Sequence, residues 1–187
     1  MRTIIYISIL LLSLTTQAQN YQLNTEASKL NWTGKAAFNA YALSGTLKAK
    51  FGKLSIDKDT IFELTLVVDM LSLDHENKDL KSHLRSKDFF DVKKFKEAHF
   101  LLSNTPKIQI DQAQIQGQMK IKDKAKQETL RIAISNNGNQ IELAFKTTLD
   151  RLDYGITYNS PSLFKKLKQN AIADTFVLEG KLVFDID

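Results

Sequence analysis

Apolar and polar residues alternate along most of this chain, and the two-residue period constrains the fold more than any other feature. Successive side chains of a β-strand point to opposite faces, so a strict alternation indicates a strand with one buried face. The pattern recurs in run after run between Leu30 and Phe184. Each strand therefore has an apolar face that another layer must cover.

Only two short segments have the apolar spacing of a helix. Residues 74–85 begin at a predicted Asp74 N-cap, and residues 161–171 place Phe164 and Leu167 on one side. Neither segment is long enough to cover a sheet. The sheet must therefore face a second sheet or close on itself.

Long strands joined by hairpins favour a closed barrel over a sandwich. The strands predicted at 29–38 and 60–71 would each run about 33 Å or more at ~3.3 Å per residue. Residues 136–139 (Asn-Asn-Gly-Asn) are typical of a hairpin turn. A change of phase after Gly52 predicts a bulge at that glycine. The predicted fold class is all-β: an eight-stranded antiparallel up-and-down barrel with one or two short helices, which has room for one small ligand.

Residues 1–18 are predicted to be a secretory signal peptide. An apolar run at 4–14 follows a positive start, and Thr16 and Ala18 supply small residues before the cleavage point. The alternative, a membrane anchor, is disfavoured because the run is well short of the roughly 20 apolar residues that span a bilayer. We expect an exported protein, periplasmic or secreted, with residues 19–187 forming a single domain.

Composition excludes several classes of function. The chain contains no cysteine, which rules out disulfides, thiol catalysis and cysteine-based metal sites. The net charge of +5 is scattered, and no basic motif interleaved with aromatic residues occurs, so nucleic acid is not an expected partner. Without paired carboxylates, an H-E-x-x-H motif or a nucleophile elbow, we predict no catalytic residue and no metal site.

Two polar groups leave an enzymatic alternative open. Glu97 and His99 are two residues apart and share a strand face, where a surface pair is the simpler interpretation. Arg151, Asp153 and Tyr154 lie at a predicted barrel mouth. Arg151 and Asp153 would pair there as a rim salt bridge, or Arg151 or Tyr154 would hold the polar end of a ligand. The alternative is an enzyme that acts on a lipid-like substrate.

The segment from Leu84 to Leu102 mixes phenylalanine rings with aspartate and lysine. Such a segment cannot bury all its side chains, so we predict that it crosses a rim, with selected rings turned inward and charges in water. The four rings are Phe89, Phe90, Phe95 and Phe100.

The inward positions of the strands are large and apolar, so they either fill a core or line an elongated cavity. Residue type cannot separate these two arrangements. Inward glycines at Gly34, Gly45, Gly117 and Gly180 favour a cavity, since small residues leave space. The alternative is an interaction protein with a solid core, whose 161–171 helix touches a partner or a membrane.

Four pieces of the sequence, taken together and in order, resemble the YceI-like family. They are SKLNWTG at 28–34, HLRSKDFFD at 83–91 together with Phe100, GQMKI at 117–121 and RLDYG at 151–155. The resemblance runs from about residue 21 to residue 187. It implies an exported bacterial protein with a lipocalin-like antiparallel barrel that binds polyisoprenoids.

The function implied is non-enzymatic binding or transport of an apolar chain-like lipid, of the polyisoprenoid or isoprenoid quinone type, in the barrel cavity. No cofactor is expected apart from such a lipid. Peripheral membrane contact and a homodimer are further hypotheses. The predicted ligand-binding residues combine inward strand positions with positions at the rim. They are Trp32, Phe38, Phe51, Phe62, Leu64, Leu66, Phe90, Phe100, Met119, Ile121, Leu130, Ile132, Leu143, Phe145, Arg151, Tyr154, Phe164, Phe176, Leu178 and Leu182.

Overall fold

The chain forms one antiparallel sheet, seen in a computed structural model that describes residues 18–38, 41–164 and 171–187. The predicted signal peptide, except for Ala18, lies outside the described residues. Within the described ranges there are nine strands and one α-helix, α1 (Lys78–Arg85). The strands are β1 (Gln19–Leu23), β2 (Lys29–Ala36), β3 (Ala42–Asp57), β4 (Thr60–Asp74), β5 (Glu97–Leu102), β6 (Gln112–Ile121), β7 (Lys124–Asn136), β8 (Gln140–Asp150) and β9 (Ile172–Ile186).

The sheet closes on itself. Strands β2 to β9 pair in chain order, and β9 returns to pair with β2. The short β1 pairs with the same two neighbours as β2, namely β3 and β9, so β1 and β2 form one interrupted stave. The barrel therefore has eight staves, and the predicted all-β, eight-stranded antiparallel architecture is confirmed. Because the sheet is closed, none of the nine described strands is a free edge strand.

The two ends of the barrel differ. At the lower end, which carries the β3–β4 and β7–β8 turns, five side chains are almost completely buried and pack together as a solid core. At the upper end, α1 and the segment that follows it lie across the opening. The lower core is formed by Tyr21, Leu54, Ile61, Ile141 and Phe184.

Helix α1 begins later than the sequence predicts. Its N-cap is Asn77, whose side-chain oxygen accepts hydrogen bonds from the backbone N–H groups of Asp79 and Leu80 at 2.9 and 3.0 Å. The predicted N-cap, Asp74, is instead the last residue of β4. Pairing with β3 extends β4 to this residue, so the helix can start only after the turn that follows.

The segment after α1 crosses the upper rim as predicted. Phe89 and Val92 are buried, whereas Lys93 and Lys94 are exposed. Phe95 is half-buried, and the Lys94 ammonium lies 4.9 Å from its ring centroid. The segment therefore contributes apolar side chains to the interior while its charges stay in water.

Three predicted inward phenylalanines point outward. In β3 the pairing with β4 shifts between Ala49 and Phe51, before Gly52 rather than after it, and this leaves Phe51 39% exposed. In β4 the inner position belongs to the fully buried Ile61, so its neighbour Phe62 is 53% exposed.

The third of these, Phe38, lies beyond the end of β2 at Ala36 and is 69% exposed. Strand alternation no longer holds there. The prediction that Phe38, Phe51 and Phe62 point into the barrel is therefore wrong, and none of the three lines its cavity.

Three of the four inward glycines do not leave empty space. A Cβ on Gly117 would lie 2.3 Å from Cζ of Phe100, and one on Gly180 would lie 2.5 Å from Cε1 of Phe145. Gly45 is covered by a backbone carbonyl oxygen at the end of β4 and by the indole of the neighbouring strand β2. These glycines let aromatic rings pack directly onto the backbone. The prediction that they open the tube is wrong.

Gly34 is the exception, because the nearest atom to a Cβ built there is Cζ3 of Trp32 at 3.9 Å. We expect Gly117→Ala to lower the free energy of unfolding by about 1–3 kcal/mol, since the Phe100 ring must move. The matched change Gly34→Ala should cost less than about 0.5 kcal/mol. Urea unfolding of the two variants tests this, and equal losses would contradict the packing described.

Candidate functional site

Above its lower core, the barrel encloses a cavity of about 310 Å³. All eight staves contribute inward side chains to its wall, and α1 with the rim segment closes it from above. One water-sized group needs roughly 10–15 Å³ of such free volume. The interior is therefore hollow above the lower core and solid at the lower end of the barrel.

Most of the predicted ligand-binding residues line this cavity. They are Trp32, Leu64, Leu66, Phe90, Phe100, Met119, Ile121, Leu130, Ile132, Leu143, Phe145, Arg151, Phe176, Leu178 and Leu182. That these side chains contact a ligand stays a prediction.

Several inward side chains are only half-buried, although they point into the barrel. Phe145, Phe176 and Leu178 belong to this group. On the side that faces the barrel axis, these side chains border empty space. They therefore make fewer contacts there than a fully buried side chain does. The rings of Phe90 and Phe176 meet edge to face at 6.5 Å, which joins the rim segment to β9 across the cavity.

Two further predicted residues lie away from the cavity. The chain winds into a 3₁₀ turn at Arg151–Tyr154 once β8 has ended, and this turn carries Tyr154 towards β7. Its fully buried phenol donates a hydrogen bond to Oε1 of Glu128 at 2.8 Å. Burial raises the pKa of Tyr154 well above its usual range, and the bond to Glu128 acts in the same direction.

The second predicted residue that lies away from the cavity is Phe164. It is 52% exposed and borders a separate surface hollow with Lys87 and Tyr158. The helix predicted at 161–171 falls largely on residues 165–170, outside the described ranges, and residues 161–163 form a turn. Neither Tyr154 nor Phe164 lines the barrel cavity, in which both were predicted to contact a ligand.

Arg151 lines the cavity wall, but its guanidinium donates its hydrogen bonds to other groups of the protein. Its guanidinium, 3% exposed as a residue, donates to the carbonyl oxygens of Ala173 (3.0 Å), Ile156 (2.7 Å) and Ile172 (2.9 Å). It also forms an ion pair with Oδ1 of Asp174 at 3.3 Å. Arg151 therefore ties the end of β8, the turn after it and the start of β9 together.

The predicted rim pair of Arg151 with Asp153 does not form. Asp153 instead pairs with Lys126 of β7, and the partner of Arg151 is Asp174. The 3₁₀ turn separates the two side chains, because residues two apart on such a turn do not share a face as they do on a strand. Arg151 thus has few donors left for a ligand.

The Asp174 carboxylate is held ionised by its surroundings. Burial alone would raise its pKa, but hydrogen bonds from Ser160 and Ser162 and the Arg151 guanidinium outweigh it, and the pKa lies below the usual value. A folded-state pKa below the unfolded one stabilises the fold above the unfolded value, near about 3.9. That contribution is lost as the pH falls towards the folded pKa.

We therefore expect the wild-type melting temperature to fall as the pH decreases through the acid range below about 4. Asp174→Asn should be less stable at neutral pH and should show a shallower fall with acid, since the ionisable group is gone. Thermal unfolding between neutral and acid pH measures both curves. Parallel curves for the two proteins would show that Asp174 does not carry this dependence.

The groups proposed for the enzymatic alternative are separated. Glu97 and His99 lie on the outer side of β5, 3.6 Å apart, and Glu97 also pairs with Lys50 at 2.6 Å. Asp153 and Tyr154 are engaged with β7, as described above. Among the described residues, no cluster of three histidine or carboxylate side chains could hold a metal ion.

Trp32 is the only tryptophan of the chain and lines the cavity. Its Nε1 is buried and has no hydrogen-bond partner. The ring lies 5.9 Å from that of His75. Its emission therefore reports on the cavity directly.

Several cavity residues on α1, the rim segment and the upper part of β4 are not among the predicted ligand-binding residues. The i, i+4 spacing of Leu80 and Leu84 indicates one apolar helix face, but nothing in the sequence connects that face to the barrel interior. Met70 and Leu73 of β4 are three residues apart, so a strict two-residue alternation could not place both side chains inward. These residues are Met70, Leu73, Leu80, Leu84 and Phe89.

In the part of the chain that the structure describes, no helix has the length and apolar character to cross a membrane.

Comparison with known protein families matches the YceI-like domain over residues 21–184, nearly the whole barrel. The chain belongs to the YceI-like family. A curated relative, UPF0312 protein VPA0850 of Vibrio parahaemolyticus serotype O3:K6 (strain RIMD 2210633), is 32% identical over 92 residues, which cover 48% of this chain. The match spans about half of that relative, 49% of its length.

Two solved structures share the fold of this YceI-like chain. Burkholderia cenocepacia BcnA aligns with a TM-score of 0.71 at 19% identity, covering 86% of this chain and 98% of BcnA. A polyisoprenoid binding domain from Saccharophagus degradans, implicated in plant cell wall breakdown, aligns with a TM-score of 0.68 at 13% identity, covering 89% of this chain and 98% of that domain. At these identities the likeness supports the YceI-like barrel fold alone.

Proposed function

We propose that this YceI-like protein binds or transports an apolar chain-like lipid, of the polyisoprenoid or isoprenoid quinone type, in the barrel cavity and without catalysing a reaction. The observation that carries the proposal is an unfilled cavity with an almost wholly apolar wall. Moving hydrocarbon from water into such a space is favourable by roughly 25 cal/mol per Å². The loss of freedom of the bound chain reduces this gain in free energy.

The family and its relatives support this proposal. The Saccharophagus degradans domain with the same fold is a polyisoprenoid binding domain. Few polar side chains line the cavity, and the most buried of them, Arg151, is engaged by backbone carbonyls and Asp174. A ligand that fills the interior must therefore be hydrocarbon along most of its length.

An exported location fits the same role. The apolar run and the small residues of 1–18 predict a secretory signal peptide. A protein that carries a membrane-derived lipid is needed in an aqueous compartment, which the lipid cannot cross alone. The protein would act in the periplasm or after secretion. Peripheral membrane contact and a homodimer belong to the proposal as predictions.

Titration of lipid-free protein with geranylgeraniol tests the proposal. Trp32 lines the cavity, so its emission should change along a saturable curve with one site per protein, and the lipid should co-elute with the protein on gel filtration. Glycerol, which is small and polar, is the control and should change neither readout. If geranylgeraniol neither alters the emission nor co-elutes, the cavity does not serve as a lipid site.

A further inference from the structure

Large apolar side chains are exposed at the upper end of the barrel, where the cavity reaches solvent. The cavity wall includes Lys35 and Tyr41, which are both exposed where β2 gives way to β3. Phe38 is exposed in the same connection, and Leu163 and Phe164 are exposed after the 3₁₀ turn. We call Phe38, Tyr41, Leu163 and Phe164 the mouth patch. Apolar side chains gathered at one end of a protein mark a surface that contacts a partner.

The start of β9 brings the two parts of the mouth patch to one place. The backbone N–H of the residue before Phe38 donates to the carbonyl oxygen of Ala171 at 2.9 Å. The next residue, Ile172, donates its backbone N–H to the carbonyl oxygen of Asn159 at 3.0 Å, shortly before the 161–164 segment. Both segments that carry the mouth patch therefore flank the same strand end.

Lysine side chains lie among the aromatic rings of this end. The Phe95 ring has the Lys94 ammonium at 4.9 Å and the Lys122 ammonium at 6.0 Å from its centroid. Lys122 also borders the surface hollow next to Phe164. The upper end therefore presents cations beside apolar groups.

The lower end differs in charge and in access to the interior. The upper connections 75–96, 122–123 and 151–164 carry nine basic and six acidic residues, whereas 58–59 and 103–111 at the lower end carry two of each. The lower end also exposes large apolar side chains, but the solid core closes the barrel there. These side chains are Phe62, Ile110 and Ile186.

We propose that the upper end of the barrel docks on a bilayer that contains anionic phospholipid, with the mouth patch inserted among the headgroups. Aromatic and aliphatic side chains lower their free energy by leaving water there, and the nearby lysines attract the lipid phosphates. The inference rests on the proposed function and adds the surface through which the protein exchanges its lipid. A lipid that leaves the cavity beside Tyr41 would pass into the bilayer without crossing water.

Flotation with vesicles measures docking separately from lipid binding in the cavity. Vesicles of phosphatidylethanolamine with phosphatidylglycerol supply anionic headgroups, and vesicles of phosphatidylcholine do not. The double variant Phe38→Ser with Phe164→Ser removes two rings of the mouth patch that do not line the cavity. Phe62→Ser with Ile110→Ser is the matched control, because both side chains are exposed at the lower end. Titration of each protein with geranylgeraniol, followed by the emission of Trp32, shows whether the cavity is intact.

We expect the wild type and the lower-end variant to float with the phosphatidylglycerol vesicles. The mouth-patch variant should bind these vesicles about tenfold more weakly, because two rings no longer leave water, while its affinity for geranylgeraniol stays unchanged. Binding of the wild type should also weaken with phosphatidylcholine vesicles and in high salt, since both remove the attraction between lysines and anionic headgroups.

Wild-type protein that does not float with the phosphatidylglycerol vesicles would overturn the docking surface, and so would equal losses in the two double variants. Equal binding to both kinds of vesicle would overturn the requirement for anionic lipid. A wild-type dimer that the mouth-patch changes convert to a monomer on gel filtration, without vesicle binding, would assign the patch to contact between two copies. In all these cases retained geranylgeraniol binding leaves the proposed function intact, whereas a wild type that binds no geranylgeraniol overturns that function itself.

Discussion

Arg151→Leu is expected to lower the free energy of unfolding by about 3–5 kcal/mol, the largest effect that we predict for a single side chain. Leucine keeps much of the apolar stem but supplies no donor. The carbonyl oxygens of Ala173, Ile156 and Ile172 would then be left without their partner, and the Asp174 carboxylate would lose its cation. Unpaired buried acceptors and charges are what make such losses large.

Chemical denaturation measures this effect, and Lys146→Leu provides the matched control. Lys146 lies on β8 as well, and its ion pair with Glu179 is 3.1 Å long but exposed. Removing it should cost less than about 1 kcal/mol, as for other surface pairs. Losses of similar size in the two variants would show that Arg151 is not the structural tie that its contacts indicate.

Gly34→Leu is expected to weaken lipid binding at least tenfold without unfolding the barrel. A Cβ at Gly34 has only Trp32 Cζ3 near it, at 3.9 Å, so the new side chain can extend into the cavity. Leucine would occupy space that several methylene groups of a ligand would otherwise fill, and each buried methylene contributes about 0.8 kcal/mol. Titration with geranylgeraniol, followed by the emission of Trp32, gives the change in affinity.

Ala133→Leu is the control for added apolar bulk. Ala133 is exposed on the outer face of β7, so a leucine there enlarges the protein without entering the cavity. Its affinity for the lipid should equal that of the wild type. If Gly34→Leu also binds like the wild type and both variants melt normally, the ligand does not occupy the space next to Gly34.

The two-residue period was sufficient to predict the barrel. Buried and exposed residues alternate along the whole of β6 and from Leu130 to Ile134 of β7, and the inward sets predicted there are correct. The absence of a helical layer then requires closure. For the same reason most of the wall residues could be predicted, including Met119, Ile121 and Leu130.

The errors arise where pairing between strands changes the phase. In β3 the shift next to Phe51 depends on contacts with β4, which a single strand's pattern does not contain. The exposed Phe62 next to the buried Ile61 has the same origin. Bulges of this kind are set by the partner strand as much as by local residues.

The sequence could not show that the barrel interior is partly empty, and the reason is a different one. Gly34 and Gly117 have the same residue type and both point inward, yet Phe100 covers one and nothing fills the space at the other. Whether a ring from a distant strand lies over a glycine is a property of tertiary packing. The role of Arg151 was hidden in the same way, because its acceptors at Ile172 and Ala173 lie more than twenty residues later.

Mass spectrometry of organic extracts from wild-type protein and Gly34→Leu, expressed and purified side by side, tests the central claim most directly. The cavity should retain lipid acquired in the cell. The wild type is predicted to release one chain-like apolar lipid in an amount approaching one per protein, and Gly34→Leu to release far less of the same species. A wild-type extract with no lipid above the Gly34→Leu level, from protein that also takes up no added isoprenoid, would contradict the account.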